Sequence, residues 1–174
     1  RMIMLETEKL LAQPLDRKNV SQRQQAGMSL SYIEGHHAIR EANRIFGFGG
    51  WSMDIQNFEM KHCGQNAKGN ELVSGYAIVT ITAMGRERTD VGYGTGIAKS
   101  LPDAMESAGK EAVTDAMKRA LRTFGDQFGN ALYDKQQKHV ADEVADPAIL
   151  AKIDGAACLD DLVDVWADIS DRKS

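Results

Sequence analysis

An α+β fold is expected from three features of this 174-residue sequence. Strand signals recur over 51–55, 71–83 and 86–94, and they follow one another with no helical stretch between them. A helical pattern repeating every four residues then runs over 103–133. Strands grouped in this way, joined by short turns, imply an antiparallel meander rather than a series of βαβ units. The expected architecture is an antiparallel β-meander of three or more strands packed against a long helix, with a short helical C-terminal tail.

The elements are justified in chain order. Residues 5–13 read as a short helix stopped by Pro14, and residues 15–30 as polar and irregular. Ser31-Tyr32-Ile33-Glu34 has the form of a capping box. It precedes a helix whose apolar stripe is Ile39, Ala42, Ile45 and Phe46, and Gly47 suits its C-terminal end. Trp51, Met53 and Ile55 alternate with polar residues, which is the period of a strand. A loop is expected over 64–70. The β-branched stretch 71–83 is a long strand, Met84-Gly85 a turn, and 86–94 a third strand. On the long helix Ala108, Ala112, Ala116, Ala120, Phe124 and Phe128 form one small-residue apolar face, suited to close approach to a sheet or to another subunit. Residues 136–146 read as a polar linker, and 147–174 as two short acidic helices.

Composition narrows the function. Hydrophobic residues make up 43% and charged residues 26%, which excludes wholesale disorder. No run of about 18 apolar residues marks a membrane helix, and no secretory leader is recognisable. Cys63 and Cys158 form no CxxC and suggest a reducing, intracellular home. The net charge of −4 is unevenly distributed. Residues 141–174 hold nine acids and three bases, a charge of −6, whereas residues 1–140 hold 18 bases and 16 acids, a charge of +2. The acidic overall balance therefore raises no objection to nucleic-acid binding by the first part.

The enzymatic constellations are weak. Tyr93-Gly94-Thr95-Gly96-Ile97-Ala98-Lys99-Ser100 resembles a phosphate-binding loop, but Tyr93 and Ala98 stand where such a loop needs glycine. The plainer reading is a glycine-rich connection from strand to helix. His36 and His37 are adjacent and point to different sides of a helix, and His62-Cys63 lacks a second ligand pair. No catalytic triad stands out and no acidic cluster suits two-metal chemistry. A basic cluster is more informative. Lys118, Arg119 and Arg122 fall within an arc of about 100° opposite the apolar stripe. Asp115 and Asp126 lie four residues from Arg119 and Arg122, so helical ion pairs on a solvated face are the competing account. Tyr32, Phe48, Trp51 and Tyr93 are aromatic groups able to stack on bases, although core positions are the commoner use of such residues.

Longer motifs carry a resemblance. Tyr32-Ile33-Glu34-Gly35-His36, Ala38-Ile39-Arg40-Glu41-Ala42-Asn43 and Phe46-Gly47-Phe48-Gly49-Gly50-Trp51 resemble the opening helix of the Rad-fifty-two family of single-strand annealing proteins. Asp90-Val91-Gly92-Tyr93-Gly94 is similar to the end of that family's third strand, and residues 110–125 to its signature helix. The resemblance covers roughly residues 15–135, and the short chain suggests a compact bacterial or phage version.

The resemblance implies single-stranded DNA binding and annealing of complementary strands in recombination and double-strand break repair. No covalent chemistry, cofactor or metal is implied. It implies a homo-oligomeric ring with DNA held by its phosphates in a basic groove. Lys118, Arg119 and Arg122 would contact phosphate there, joined by Arg23 and the aromatic Tyr32, and Lys99 would belong to a second, outer DNA site. Glu71 stands where that outer site has another lysine in the family. Residues 1–135 would be the DNA-binding, ring-forming domain, and a bacterial cytosol or nucleoid the location. The acidic tail is either a solvated helical pair or an arm that docks a replication or recombination protein. The competing function is a duplex-binding architectural or interaction module that does not anneal.

Overall fold

The computed structural model of the chain describes residues 2–25 and 27–141. The chain divides into two compact units, 1–142 and 143–174, and all described residues belong to the first. Helix α1 (Met2–Ala12) leads to a two-residue strand β1 (Leu15–Asp16). Strands β2 (Ser21–Gln25) and β3 (Met28–Tyr32) form a hairpin, followed by helix α2 (Gly35–Phe46). Strands β4 (Trp51–Gln65), β5 (Glu71–Ala83) and β6 (Arg86–Ala98) make a three-stranded antiparallel sheet in chain order. Helix α3 (Leu101–Arg122) lies across that sheet, and β7 (Val140–Ala141) pairs in parallel with β1. The antiparallel meander against a long helix is thus the architecture of the chain. The acidic tail over 147–174 lies outside the described residues. The polar stretch from 136 ends in strand β7, with Val140 buried.

The strand register follows from local chemistry. Met84 and Gly85 have φ of 55° and 68°, the left-handed pair of a two-residue hairpin turn. That turn sets β5 against β6 without interruption from Ala83 opposite Arg86 to Glu71 opposite Ala98. Strand β4 is less regular, with register shifts between Ile55 and Asn57 and between His62 and Gln65.

The helix and sheet meet through two small-residue rows of matching pitch. Two strand residues advance about 6.8 Å and four helical residues about 6 Å. Gly92, Gly94 and Gly96 therefore lie in succession against Ala116 and Ala112, Ala112 and Ala108, and Ala104. A Cβ at any of the three glycines would overlap α3 backbone. This is the structural meaning of the glycine-rich Tyr93–Ser100 segment, which is a strand buried against a helix and not a phosphate loop. Ala104, Ala108, Ala112, Ala116 and Ala120 are fully buried, so the small-residue face is occupied within the subunit and is closed to a neighbour. Val79, Ile81, Ala42, Ile45, Leu121 and Phe128 complete the main core. The Phe46 ring meets Phe124 edge-on at 5.4 Å and stacks on Phe128 at 5.8 Å.

Three local expectations are corrected. Residues 15–30 are not irregular, because β1 and the β2–β3 hairpin lie within them. The hairpin is exposed over most of its length, so it has no apolar alternation to reveal it. The capping box does not form. Ser31 is paired with Gln22 in the hairpin, α2 begins at Gly35, and Glu34 caps it without a side-chain bond. The long helix ends at Arg122 instead of reaching 133, and 3-10 turns follow over Asp126–Phe128 and Asn130–Tyr133. Gly125 sits where any Cβ would come within 2.6 Å of the Leu11 carbonyl oxygen, so the chain leaves the helix to pass α1.

Gln127 fastens that turn. Its side-chain nitrogen donates to the carbonyl oxygens of Gln13 and Pro14, at 2.8 Å each, from a buried position. Gln127→Leu removes the donor and leaves both acceptors to find water. It should lower unfolding free energy by about 1–3 kcal/mol, read by urea denaturation with an unchanged m-value.

His37 on α2 is the second sensitive point. Its Nε2 is buried with no hydrogen-bond partner, and burial holds its pKa below the usual histidine value. The unfolded chain therefore takes up a proton near pH 6.5 that the folded chain resists, so stability falls as pH drops below about 6.5. His37→Phe should flatten the dependence of Tm on pH between about 5 and 7, by part of the ~1.4 kcal/mol per pH unit that one proton contributes.

Candidate nucleic-acid interface

Helix α3, the β2–β3 hairpin and the 3-10 turns after α3 enclose a groove of about 900 Å³. Five basic side chains line it, Arg23, Lys110, Lys118, Arg119 and Arg122, with three acidic ones, Glu34, Glu111 and Asp115. Arg23, Tyr32, Lys118, Arg119 and Arg122 are thereby brought together from positions about 100 residues apart.

Tyr32 organises one wall. Two cations lie over its ring, Arg23 at 5.6 Å and the Lys118 ammonium at 5.4 Å from the centroid. Its hydroxyl donates to the Glu34 carboxylate at 2.9 Å, which pushes the Tyr32 pKa up. Lys118 also donates to the Ile33 carbonyl oxygen at 3.1 Å. Burial lowers the Lys118 pKa, against the nearby charges of Asp115 and Glu34. A half-buried cation is weakly hydrated and gives up little water on meeting a phosphate.

Asp90 organises the other wall. It lies on β6, one strand period before Gly92, and reaches Arg119 Nε at 3.4 Å and an Arg122 terminal nitrogen at 3.8 Å. Burial works against the Arg119 charge, but Asp90, with smaller help from Asp115 and Tyr133, leaves the pKa raised. Arg122 lies 4.1 Å over the Tyr133 ring. Both guanidinium groups are pinned on one side and leave donors facing the groove.

The helical ion pairs expected from spacing do not form. Asp115 accepts the Tyr93 backbone N–H at 3.1 Å, and Glu111 accepts that of Thr95 at 2.8 Å. β6 is an edge strand, so these carboxylates satisfy N–H groups that have no strand partner. Asp126 faces His139 at 3.7 Å instead of Arg122. The acids adjacent in sequence are therefore bonded elsewhere, Asp115 acting on Arg119 only from a distance, and the arginines take Asp90 as their shared partner.

Lys99 stands apart. It is exposed on the connection from β6 to α3, about 25 Å along the helix from Lys118. Next to it in the sheet, Glu71 is held by His62 at 2.6 Å and Gln65 at 2.6 Å, and these hydrogen bonds keep its carboxyl pKa low. Among the aromatic groups, Tyr93 is exposed at the groove and Phe48 is exposed outside it. Trp51 is partly buried and donates to Asn43 at 2.8 Å. Sequence reasoning missed Asp90 as the arginine anchor and Tyr133 as the Arg122 shelf, since each is a partner only through the fold. Among the described residues, no three His, Cys, Asp or Glu side chains converge to hold a metal. No described helix is long and apolar enough to cross a membrane.

Comparison with known proteins identifies the family. A match to the Rad52/22 family of double-strand break repair proteins spans residues 5–149. The DNA repair and recombination protein RAD52 of Candida glabrata is 42% identical over 133 residues, covering 72% of this chain and 26% of that protein. RAD52 of Saccharomyces cerevisiae is 43% identical over 119 residues, covering 67% of this chain and 25% of that protein. The DNA repair and recombination protein rad22 of Schizosaccharomyces pombe is 39% identical over 112 residues, covering 63% and 24%. The chain thus spans about a quarter of the length of these curated relatives. All three are fungal, and they lend no support to the bacterial or phage origin suggested by the short chain. With the family match covering most of its length, the chain belongs to the Rad52/22 family of double-strand break repair proteins, a family of DNA recombination and repair.

Proposed function

We propose that the chain binds single-stranded DNA in this groove and anneals complementary strands, without nucleotide or metal. The observation that carries the reading is the convergence of Arg23, Lys118, Arg119 and Arg122 with Tyr32 in one groove. Cations held on aromatic rings and on Asp90 suit phosphate oxygens, which carry no sequence information. A strand held by its backbone keeps its base edges free for a complement. The work is capture and presentation, so no bond needs to be made or broken. Four phosphate contacts per subunit should give a slope of log affinity against log salt of roughly −3 per subunit engaged.

A homo-oligomeric ring would multiply this modest charge around one strand. The α3-facing side of β4 supports self-association: Met53 and Ile55 are exposed there, and Phe58 stays partly exposed although its ring reaches Gly109 of α3. Lys99 is proposed as part of an outer DNA site, and the acidic tail as an arm for a replication or recombination protein. Annealing of two complementary labelled oligonucleotides, followed by fluorescence transfer in EDTA without nucleotide, tests the reading. Acceleration by the chain is the expected result. Tight duplex binding without acceleration would instead favour an architectural module.

A further inference from the structure

We propose that the strand held in the groove leaves it over the C-terminal end of α3, where Arg88 is a further phosphate contact supported by the Phe124 ring. The inference rests on the groove reading. Its origin is the pairing of β6 with α3, which run in opposite directions. Gly96 meets Ala104, Gly94 meets Ala108, Gly92 meets Ala112 and Ala116, and Asp90 meets Arg119 and Arg122. The next position on the same face of β6 is Arg88, about 6.8 Å beyond Asp90. Arg88 lies opposite Ile81, a buried residue of the α3-facing side, which confirms its side of the sheet.

There its guanidinium sits 5.4 Å from the Phe124 ring centroid, directly after the end of α3. The arrangement repeats the one inside the groove, where Arg122 lies over Tyr133. Among the described residues Arg88 has no carboxylate partner, and its one side-chain hydrogen bond goes to the Glu87 carbonyl oxygen at 3.2 Å. Arg86, opposite Ala83, follows on the same face at the tip of the hairpin and is also exposed.

Electrostatics gives Arg88 a reason to be there. A helix C-terminus carries partial negative charge and repels an approaching phosphate. Arg122, the last residue of α3, lines the groove, so a strand that leaves past this end of the helix meets this repulsion. A guanidinium held over the Phe124 ring offsets it and has further donors to offer a phosphate.

The test is salt-dependent binding of the intact chain to a short oligonucleotide that fills only the groove and to a longer one. Arg88→Gln should leave the short oligonucleotide unaffected. On the longer one it should reduce the salt slope by about 0.7 per subunit engaged and weaken binding roughly fivefold near 0.1 M salt. Arg88→Lys keeps the charge and should restore the slope, which separates a lost contact from a damaged fold. Arg40→Gln, an exposed change on α2, is the control and should alter neither. An unchanged slope for Arg88→Gln, while Arg119→Ala/Arg122→Ala weakens both oligonucleotides, overturns this inference and leaves the groove reading standing. Binding unaffected by Arg119→Ala/Arg122→Ala overturns both.

Discussion

Arg119→Ala/Arg122→Ala should weaken binding of a single-stranded oligonucleotide roughly 100-fold, from about 1.5 kcal/mol for each lost charge-assisted contact. The salt slope should become shallower by about 1.4 per subunit engaged, the contribution of two phosphates. Annealing should fall with it, because capture precedes encounter. The fold should survive, for a structural reason. Asp90 is partly exposed and keeps the Val91 backbone N–H at 2.8 Å, so loss of both arginines leaves it reachable by water instead of orphaned in a core. Tm by circular dichroism should therefore shift by only a few degrees. The double variant Arg119→Lys/Arg122→Lys refines the result. It keeps both charges, so the slope should remain, whereas affinity should drop because an ammonium lacks the planar fork that contacts Asp90 and a phosphate together. Annealing at wild-type speed by the alanine variant would place the DNA site elsewhere on the molecule.

Gly94→Ala should destabilise the domain by about 3 kcal/mol or more, the upper end of overpacking effects. The added methyl would overlap the Ala108 carbonyl oxygen and crowd the Ala112 nitrogen at 2.6 Å. Both obstacles are backbone atoms of α3 and cannot rotate away. The helix must lift from the sheet, which opens contacts along its whole buried face. For a chain of this size the loss corresponds to a fall in Tm of about 10 °C. Gly49→Ala is the matched control, since it has open space around it and no unusual backbone angle. It should be neutral or slightly stabilising. If Gly94→Ala leaves Tm unchanged, the close contact between β6 and α3 is wrong.

The two effects are linked through α3. Its alanine face sets the distance to the sheet, and that distance places Asp90 within reach of Arg119 and Arg122. Lifting the helix would separate the arginines from their anchor and Lys118 from the Ile33 carbonyl. Gly94→Ala should therefore weaken DNA binding even at temperatures where the domain remains folded.

Periodicity by itself determined the meander and the long helix. Strand 71–83 and the Met84-Gly85 turn were legible to the residue, because β5 is nearly continuous in β-branched and apolar residues and its turn has a defined chemistry. The alanine row on the long helix was legible for the same reason. The basic character of Lys118, Arg119 and Arg122 was legible as an arc on that helix. Tyr32 was legible only as one of four aromatic groups, and Arg23 and Lys99 became DNA-site candidates through family resemblance. What tertiary structure alone decided was which charges are engaged. Spacing along a helix assigned Asp115 to Arg119 and Asp126 to Arg122, but an unpaired strand edge claims Asp115 and His139 faces Asp126. The hairpin bearing Arg23 was illegible because both of its faces are largely polar. The end of α3 was illegible because Gly125 yields to the approach of Leu11, more than 100 residues away in sequence. Local pattern specifies elements whose energy is local, whereas the groove is made of contacts between segments that sequence keeps apart.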